Sequence, residues 1–225
     1  MPSFDIVKKT IVDPSFKTSK VMADFDVGEE HVSERFKGEI IFPDKWQIGL
    51  IVGSSGTGKT TIMNEIFKEE LVDDFVYSNR PVIEDVTINS VEETERMFYS
   101  VGFGSVPSWL KPYSVLSNGE KMRVDLARKL LSSDFVVFDE FTSVVDRQVA
   151  KVICIALKKA IKKYPSKKFV AVGCHHDVLE FLQPDWCFNT NDMKQSFTNP
   201  HDLKKSFISK NAELKSGGNL GVIII

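Results

Sequence analysis

Apolar residues follow two different spacings along the chain. Three short and almost wholly apolar runs, WQIGLIVG, DFVVFDE and KFVAVGCHH, predict strands that are buried on both faces. Each is followed by a segment with apolar residues at helical spacing, namely TTIMNEIFKEEL, DRQVAKVICIALKKAIKKY and DVLEFL. Strands that alternate with helices favour an α/β core with a largely parallel sheet.

The chain before the first buried strand has a different pattern. FDIVKKTIV and SKVMADFDV alternate between apolar and polar residues, and with EIIFP they predict short strands. The polar segment 28–38 between them predicts turns. We therefore expect an N-terminal antiparallel β subdomain.

The middle and the end of the chain predict less regular elements. FVYSNRPVI predicts a strand, VGFGSVPSWLKPYS a loop, and residues 90–99 a helix with a capping box of Ser90 and Glu93. DWCFNT and SFTNP predict a closing hairpin or edge strands. The chain then continues with HDLKKSFISKNAEL, which predicts a last helix, and GVIII, which predicts a packed or pairing strand.

Composition narrows the class of protein. The chain has 225 residues, 42% of them hydrophobic, with 29 basic and 31 acidic side chains and a net charge of −2. Such a balance produces no general attraction to nucleic acid or anionic membranes. A local basic run, Lys158–Lys168, predicts a solvated helix face and turn, and nucleic-acid binding there stays open.

The cysteines and the hydropathy of the chain indicate the cellular compartment in which the protein is expected. Cys154, Cys174 and Cys187 form no CxxC pair and lie in apolar surroundings, which predicts buried free thiols in a reducing environment. The N-terminal stretch MPSFDIVKKT has no apolar segment of the secretory kind. No apolar run approaches the roughly 20 residues that span a bilayer. We expect a soluble cytoplasmic protein without membrane insertion.

A glycine-rich loop follows the first buried strand and matches G-x-x-x-x-G-K-[ST] in full. In this arrangement glycines turn backbone N–H groups towards phosphate oxygens, and the next helix adds its positive N-terminus. Lys59 should reach the β and γ phosphates, and the Thr60 hydroxyl should bind Mg²⁺. We found no N/TKxD motif of the kind that reads guanine. The predicted ATP-binding loop is Gly53, Ser54, Ser55, Gly56, Thr57, Gly58, Lys59 and Thr60, with Thr61 directly after it.

Two acidic residues end the second buried strand. Asp139 fits the role of holding the metal, directly or through water. Glu140 comes one residue later and would face the other way in an extended chain, which suits a general base that activates water. An acidic pair at a strand end is common, and the loop at Lys59 is what gives this pair its interpretation.

Two histidines end the third buried strand. His175 and His176 would point in opposite directions within a strand, so they are poorly placed to chelate one metal. One of them could reach a γ-phosphate at the carboxyl edge of the sheet, where ligands bind in such folds. The alternative is a histidine that caps the next helix.

The stretch VLSNGEKMRVDLARKLL contains more than a helix start requires. Ser117 alone would cap the helix, and the glycine and its spacing are surplus to capping. Together with the preceding motifs, this stretch resembles the ABC-class ATPases. Their signature LSGGQ corresponds to Leu116–Glu120, their DEPTSALD block to Asp139–Asp146, and their switch histidine to His176 of HHD.

The resemblance covers roughly residues 47 to 180 and implies an ATPase that works as a dimer. In such proteins two domains face head to tail, and the signature of one closes over the γ-phosphate held by the other. It implies that Ser117, Asn118, Gly119 and Asp146 contact ATP across a homodimer, with Glu140, His176 and Lys59 catalytic. It also implies one P-loop NTPase domain, in which 1–45 form the β subdomain, 46–79 and 133–225 the RecA-like core, and 80–132 a shortened helical subdomain.

Three departures from the family pattern carry information. The Q-loop glutamine, a metal contact, is replaced by the shorter Asn79 in YSNRP. Only about 38 residues separate Asn79 from Ser117, less than transporter ATPases typically have, which argues against a transporter partner. The adenine-stacking aromatic is predicted by spacing to be Phe25, with Phe16 and His31 behind it and a core position as the competing interpretation of Phe25.

Three functions remain in competition. The first is a soluble ABC ATPase that binds MgATP, dimerises and hydrolyses ATP to drive a process other than transport. VPSWLKPYSVLSNGE and CHHDVLEFLQPDW are similar to a soluble bacterial and phage group often linked to acetyltransferase-like domains, which suggests such a partner. The second is the nucleotide-binding subunit of an ABC transporter, and the third is an ATP-dependent clamp that does not hydrolyse.

Overall fold

The central sheet has five strands in the order β4-β5-β3-β6-β7, and only β7 runs antiparallel to its neighbour. The computed structural model describes residues 2–9, 15–28, 33–71 and 75–197. A second sheet pairs β1 with β2 in antiparallel register. The predicted α/β fold with a mostly parallel sheet and an N-terminal antiparallel β subdomain is confirmed. The strands are β1 Ser3–Lys9, β2 Ser33–Glu39, β3 Ile48–Val52, β4 Phe135–Phe138, β5 Lys168–Gly173, β6 Trp186–Asn189 and β7 Lys194–Phe197.

Helices flank the central sheet and fill the segment between β3 and β4. A 3₁₀ turn, Tyr113–Val115, lies between α5 and α6. The helices are α1 Phe16–Asp24, α2 Lys59–Ile66, α3 Val82–Val86, α4 Val91–Ser100, α5 Val106–Trp109, α6 Asn118–Ser132, α7 Arg147–Lys163 and α8 Asp177–Leu182.

The three apolar runs form the centre of the sheet, as their composition predicts. Every residue of β3 is buried, and so is every residue of β5 after Lys168. β3 pairs in parallel with β5 so that Val52 lies opposite Gly173. Because β4 is parallel to both, the segments that follow these three strands meet at one edge of the sheet.

Apolar clusters cover both faces of the sheet. One joins β3 and β5 to α4, α6 and α7 and includes Phe98, Leu126 and Phe169. The other joins the opposite face to α2 and to the β1–β2 sheet. Within it, a Cβ added to Gly49 would lie 2.1 Å from Trp186 Cζ2, so this strand position accepts no side chain.

The N-terminal predictions are partly wrong. The first six residues of SKVMADFDV belong to helix α1 and not to a strand, because Ser15 and Thr18 form a capping box and none of the helix residues is buried. Segment 28–38 contains strand β2 where turns were predicted. Its polar residues reflect a sheet exposed on one face, with Phe36 the buried contact. EIIFP contributes only its first residue, Glu39, to that strand.

Three predictions in the middle of the chain also fail, wholly or in part. Residues 75–78 form no strand, because Arg128 Nη1 and the Asp125 carboxylate bind this segment from α6. The predicted loop 101–114 contains α5 and the start of the 3₁₀ turn. Ser90 caps α4 by accepting from the Glu93 N–H, but Glu93 Oε2 accepts from Asn89, so no capping box is completed.

The remaining predictions concern the end of the chain, the cysteines and membranes. The closing hairpin is confirmed by β6 and β7, whereas the last helix, the strand GVIII and His31 lie outside the described residues. Burial raises the pKa of Cys154 to about 12 and of Cys187 to about 11, while the free thiol of Cys174 is half-buried. Among the described residues, no helix combines the length and the apolar composition needed to cross a membrane.

Candidate functional site

The glycine-rich loop connects β3 to α2 at the carboxyl edge of the sheet. Gly56 and Gly58 both have φ of 83°, a conformation that favours glycine, and Gly58 is the residue before the helix. A Cβ added to Gly58 would lie 2.5 Å from the ring of Phe36, so the β1–β2 sheet approaches the loop closely. Lys59 is buried, and its Nζ donates to Ser54 O at 2.8 Å.

Unpaired backbone donors surround the centre of this loop. Among the described residues, the N–H groups of Gly56, Gly58, Lys59 and Thr60 have no acceptor, and no side chain caps α2. A Cβ built on Gly56 would meet no atom within 4 Å, so the space beside the loop is open. An open space beside free N–H groups, a helix N-terminus and an ammonium fits a chain of phosphates.

The turn between β6 and β7 braces the loop. Thr57 Oγ1 donates to Ser54 O at 2.8 Å and lies 2.5 Å from Thr190 Oγ1. This second contact is a hydrogen bond between two hydroxyls, and Thr190 Oγ1 also lies 3.5 Å from Val52 O. Asn191 Oδ1 accepts from the Ser54 N–H at 3.0 Å. Neither residue was predicted from the sequence, because more than 130 positions separate each of them from the loop.

Thr60 and Asp139 meet across the β3 and β4 ends. Thr60 Oγ1 donates to Asp139 Oδ2 at 2.8 Å, and the Glu140 N–H donates to Asp139 Oδ1 at 2.8 Å. No group of three His, Cys, Asp or Glu side chains with metal-binding geometry occurs in the described ranges. One carboxylate beside one hydroxyl fits Mg²⁺, which takes few protein ligands and completes its shell with water and phosphate oxygens.

Glu140 lies on a strained turn and not in the extended chain that was predicted. β4 ends at Phe138, and φ is 51° at Glu140 and 65° at Thr142. The Phe141 N–H donates to Val172 O at 2.8 Å, which holds the turn against β5. The Glu140 side chain is exposed, whereas the Thr142 hydroxyl is buried and has no hydrogen-bond partner among the described residues. Strain and an unpaired polar group often occur at functional turns.

The two histidines lie after β5, which ends at Gly173, and not within it as predicted. His176 is exposed and directly precedes α8, while His175 is half-buried. No side chain caps α8, so the capping alternative for His176 is wrong. The next residue, Asp177, forms two hydrogen bonds to Arg147 at the start of α7, and the Arg147 hydrogen bonds hold the pKa of that carboxyl below its usual value.

The signature segment begins helix α6. Ser117 caps the helix and forms a capping box with Glu120, whose Oε2 accepts from Ser117 Oγ at 2.8 Å. The helix starts at Asn118, and the Lys121 N–H already bonds to Ser117 O at 2.8 Å. The free donors are therefore the N–H groups of Asn118 and Gly119, which have no acceptor in the described part of the chain.

Contacts within one protomer explain two of the residues named in the resemblance, Gly119 and Asp146. A Cβ added to Gly119 would lie 3.1 Å from Val149 Cγ1 and 3.2 Å from Arg123 Nη1, so the glycine allows α6 to pack against the start of α7. The Asp146 carboxylate caps α7 by accepting from the Gln148 and Val149 N–H groups. The signature segment and the turn after β4 lie on either side of a cavity of about 360 Å³. Its lining includes Asn118, Lys121, Asp139, Glu140 and Ser143.

Two predicted site residues lie apart from these hydrogen bonds. Asn79 is exposed, and it takes no part in the contacts that Thr60, Asp139 and Glu140 make. Phe25 follows α1 and is 76% exposed, so the interpretation of Phe25 as a core residue is wrong. Phe16, at the other end of α1, is 85% exposed.

No protein-family model and no curated protein sequence matches the chain. Solved structures do match its fold. The dimeric structure of MJ0796, described as a bacterial ABC transporter cassette, aligns with a TM-score of 0.57 at 17% identity over 74% of this chain and 93% of that one. CbiO1 from Clostridium perfringens, part of the cbiONQ ABC transporter complex, aligns with a TM-score of 0.57 at 18% identity over 80% and 89%.

A third structure agrees with these two. A putative metal-chelate type ABC transporter in an inward-facing conformation aligns with a TM-score of 0.55 at 14% identity, over 77% of this chain and 82% of that one. At such identities the likeness concerns the arrangement of helices and strands. The chain thus has the fold of the ATP-binding cassettes.

Proposed function

We propose that the protein binds MgATP and hydrolyses it. One observation carries the proposal. The loop after β3 offers backbone donors without acceptors around an open space, with the Lys59 ammonium beside it and the Thr60–Asp139 contact at its end. The backbone donors and the ammonium suit the phosphate oxygens of a triphosphate, and the hydroxyl and carboxylate suit its Mg²⁺.

Binding uses the residues from Gly53 to Thr61. Lys59 exchanges its contact with Ser54 O for β- and γ-phosphate oxygens, and the N–H groups of α2 bind the phosphates at the helix N-terminus. Thr60 and Asp139 hold Mg²⁺, with Asn79 as a further ligand. The metal, when bound, neutralises phosphate charge. Phe25 stacks on adenine, since its ring is free of the protein core.

Hydrolysis uses Glu140 and His176. The Glu140 carboxylate takes a proton from the water whose oxygen bonds to the γ-phosphorus, and the bond from phosphorus to the ADP oxygen breaks. His176 donates a hydrogen bond to the transferred phosphate. The exposed Glu140 side chain beside Asp139 and the exposed His176 at the same sheet edge support these roles.

We further propose that two copies of the chain complete each site. Ser117, Asn118 and Gly119 of one protomer contact the γ-phosphate bound by the other, and Asp146 lies at the same interface. Support comes from the free N–H groups of Asn118 and Gly119 at the start of α6, which form an anion-binding helix N-terminus. The structure of MJ0796, which has this fold, is described as dimeric.

The ATP cycle drives a process other than transport in our proposal. The short segment between Asn79 and Ser117 supports this, since transporter ATPases receive the membrane subunit there. An acetyltransferase-like domain is the suggested partner. A transporter subunit is the competing function, and it is favoured by the descriptions of MJ0796 and CbiO1 as transporter components. Co-purification with a multi-span membrane protein would decide for the transporter.

The central experiment replaces Glu140. Glu140→Gln should lower steady-state ATP hydrolysis by a factor of about 10² or more, because general bases contribute 10² to 10⁴. It should retain ATP binding and shift the protein to a dimer in size-exclusion chromatography with MgATP. Glu65→Gln on the exposed face of α2 is the matched control and should hydrolyse normally. Unchanged hydrolysis in Glu140→Gln contradicts the role of Glu140, and a wild type without hydrolysis favours the clamp.

A further inference from the structure

A groove of about 400 Å³ lies between α7 and α8, outside the proposed ATP site. α7 and α8 pack side by side, and both start at the carboxyl edge of the sheet. The groove begins one helical turn after Arg147 and extends away from that edge. Its lining residues are Lys151, Ile155, Lys158, Lys159 and Lys162 of α7, and Glu180, Phe181 and Gln183 in and after α8.

One face of α7 supplies four positive charges to this groove. Lys151, Lys158, Lys159 and Lys162 are spaced by seven, one and three residues, which places them along one side of a helix. None of the four forms an ion pair with a described residue. Glu180 is the single acid in the lining, so the groove is strongly positive although the whole chain has a net charge of −2.

Two of these lysines are held in place before any partner binds. The Lys151 ammonium lies 5.4 Å from the centre of the Phe181 ring, a cation–π contact. Lys158 Nζ, about two helical turns further along α7, donates to Gln183 Oε1. Side chains that are already ordered lose less entropy when they bind a ligand.

The middle of the groove is apolar. Ile155 is 39% exposed, Phe181 is half-buried, and the methylene stems of the lysines lie beside them. The apolar floor and basic rim together match a ligand with apolar and acidic side chains. A phosphodiester backbone with its bases matches less well, because the Lys151 ammonium covers a face of the Phe181 ring on which a base would stack.

We propose that this groove is a docking site for an acidic, partly apolar segment of a partner protein. Lys151 and Lys162 are eleven residues apart, about 16 Å along the helix axis. A partner helix of about three turns spans that length, with apolar residues against Ile155 and Phe181 and carboxylates towards the lysines. Docking does not require ATP.

The test uses a fluorescein-labelled helical peptide of about fourteen residues, with leucines on one face and glutamates beside them. Fluorescence anisotropy should show binding that weakens as salt rises. Lys158→Glu with Lys162→Glu should weaken binding at least tenfold. The matched control, Lys45→Glu with Lys68→Glu, changes the net charge equally at exposed positions outside α7 and α8 and should bind normally.

Further probes separate the alternatives. Ile155→Ser should weaken binding of the leucine–glutamate peptide but not of a polyglutamate peptide of equal length. Circular dichroism and thermal unfolding establish that each variant is folded. No binding by wild type, equal losses in the two double variants, or an unchanged Ile155→Ser variant would each overturn the proposal. Tighter, lysine-dependent binding of oligothymidylate would identify the groove as a nucleic-acid site instead.

Discussion

Arg147 and Asp177 join the first turns of α7 and α8 through two hydrogen bonds, of 2.8 Å from Nε and 2.6 Å from Nη2. Arg147 Nη1 also donates to Thr142 O at 3.3 Å. Thr142 lies two residues after Glu140, and Asp177 directly follows His176. One guanidinium therefore links the two loops that carry the proposed base and the proposed phosphate-binding histidine.

Replacing this arginine should impair turnover more than ATP binding. Arg147→Met removes the contacts between the two loops but leaves the loop at Lys59 untouched, so we expect kcat to fall at least tenfold and the Kd for ATP to change little. Steady-state hydrolysis and nucleotide titration measure the two quantities. Arg35→Met is the matched control, since Arg35 forms a similar two-bond pair with Asp5 in the β1–β2 sheet. Equal effects of the two substitutions would argue against a link between the loops.

The same pair predicts a pH dependence of stability. Arg147 lowers the pKa of Asp177 from the ordinary value of 3.8, so the ionised carboxylate stabilises the folded state at pH values above that and loses this effect as pH falls below it. Because both side chains are partly exposed and screened by solvent, Asp177→Asn should cost about 1 kcal/mol of unfolding free energy at pH 7. Urea unfolding of both proteins measures this difference. A cost that stays constant below pH 3.8 would contradict the assignment.

The brace on the glycine-rich loop can be removed by a change that keeps the shape of the side chain. Thr190→Val replaces the hydroxyl by a methyl group and deletes the hydrogen bond between the Thr190 and Thr57 hydroxyls. Because Thr190 is buried, we expect a loss of about 1 to 2 kcal/mol in unfolding free energy and weaker ATP binding. Denaturant unfolding and ATP titration measure both. Thr190→Ser keeps the hydroxyl and should restore ATP binding, and a valine variant with normal affinity would show that the brace is dispensable.

A tyrosine pair fixes the segment before Asn79 to the signature helix. The rings of Tyr77 and Tyr113 stack 3.9 Å apart, and each hydroxyl donates to one Asp125 oxygen at 2.7 Å. Burial and the Asp125 charge raise the pKa of Tyr77. Asp125→Asn replaces one acceptor by a donor and should cost about 1 to 3 kcal/mol of unfolding free energy.

A double-mutant cycle measures the coupling within this pair. Tyr77→Phe combined with Asp125→Asn should lose less stability than the sum of the two single changes, because both remove the same hydrogen bond. Denaturant unfolding of the four proteins supplies the comparison. Strict additivity would mean that the hydroxyl and the carboxylate do not stabilise each other.

Phe25 and Phe16 provide a direct comparison for adenine stacking. Both rings are exposed, at opposite ends of α1, so a serine at either position should leave the fold intact. Stacking of a base on an aromatic side chain contributes about 1 to 3 kcal/mol, and Phe25→Ser should therefore weaken ATP binding about tenfold. Phe16→Ser should bind ATP normally. A stronger effect at Phe16 would assign the stacking role to that residue.

The sequence predicted the elements whose composition alone specifies them. β3, β4 and β5 are apolar runs that only the interior of a sheet accommodates, and α7 has apolar residues at helical spacing. Short exposed elements were predicted poorly. Part of α1 was predicted as a strand, because the helix has no buried face that would place apolar residues at helical spacing. The local capping box of Ser15 and Thr18 starts the helix instead.

The amino-acid sequence by itself therefore determined the strands of the sheet, the glycine-rich turn before α2 and the position of the carboxylates after β4. The spacing of apolar residues, the spacing of glycines and the ends of strands are local properties of the sequence. Only the tertiary structure decided which side chains meet at that edge. Thr190 reaches Thr57 across 133 positions, and Arg147 reaches Asp177 across 30. Hydrogen bonds of this kind depend on how β6 and α7 pack against β3 and α8, and no local pattern encodes a contact between residues so far apart along the chain.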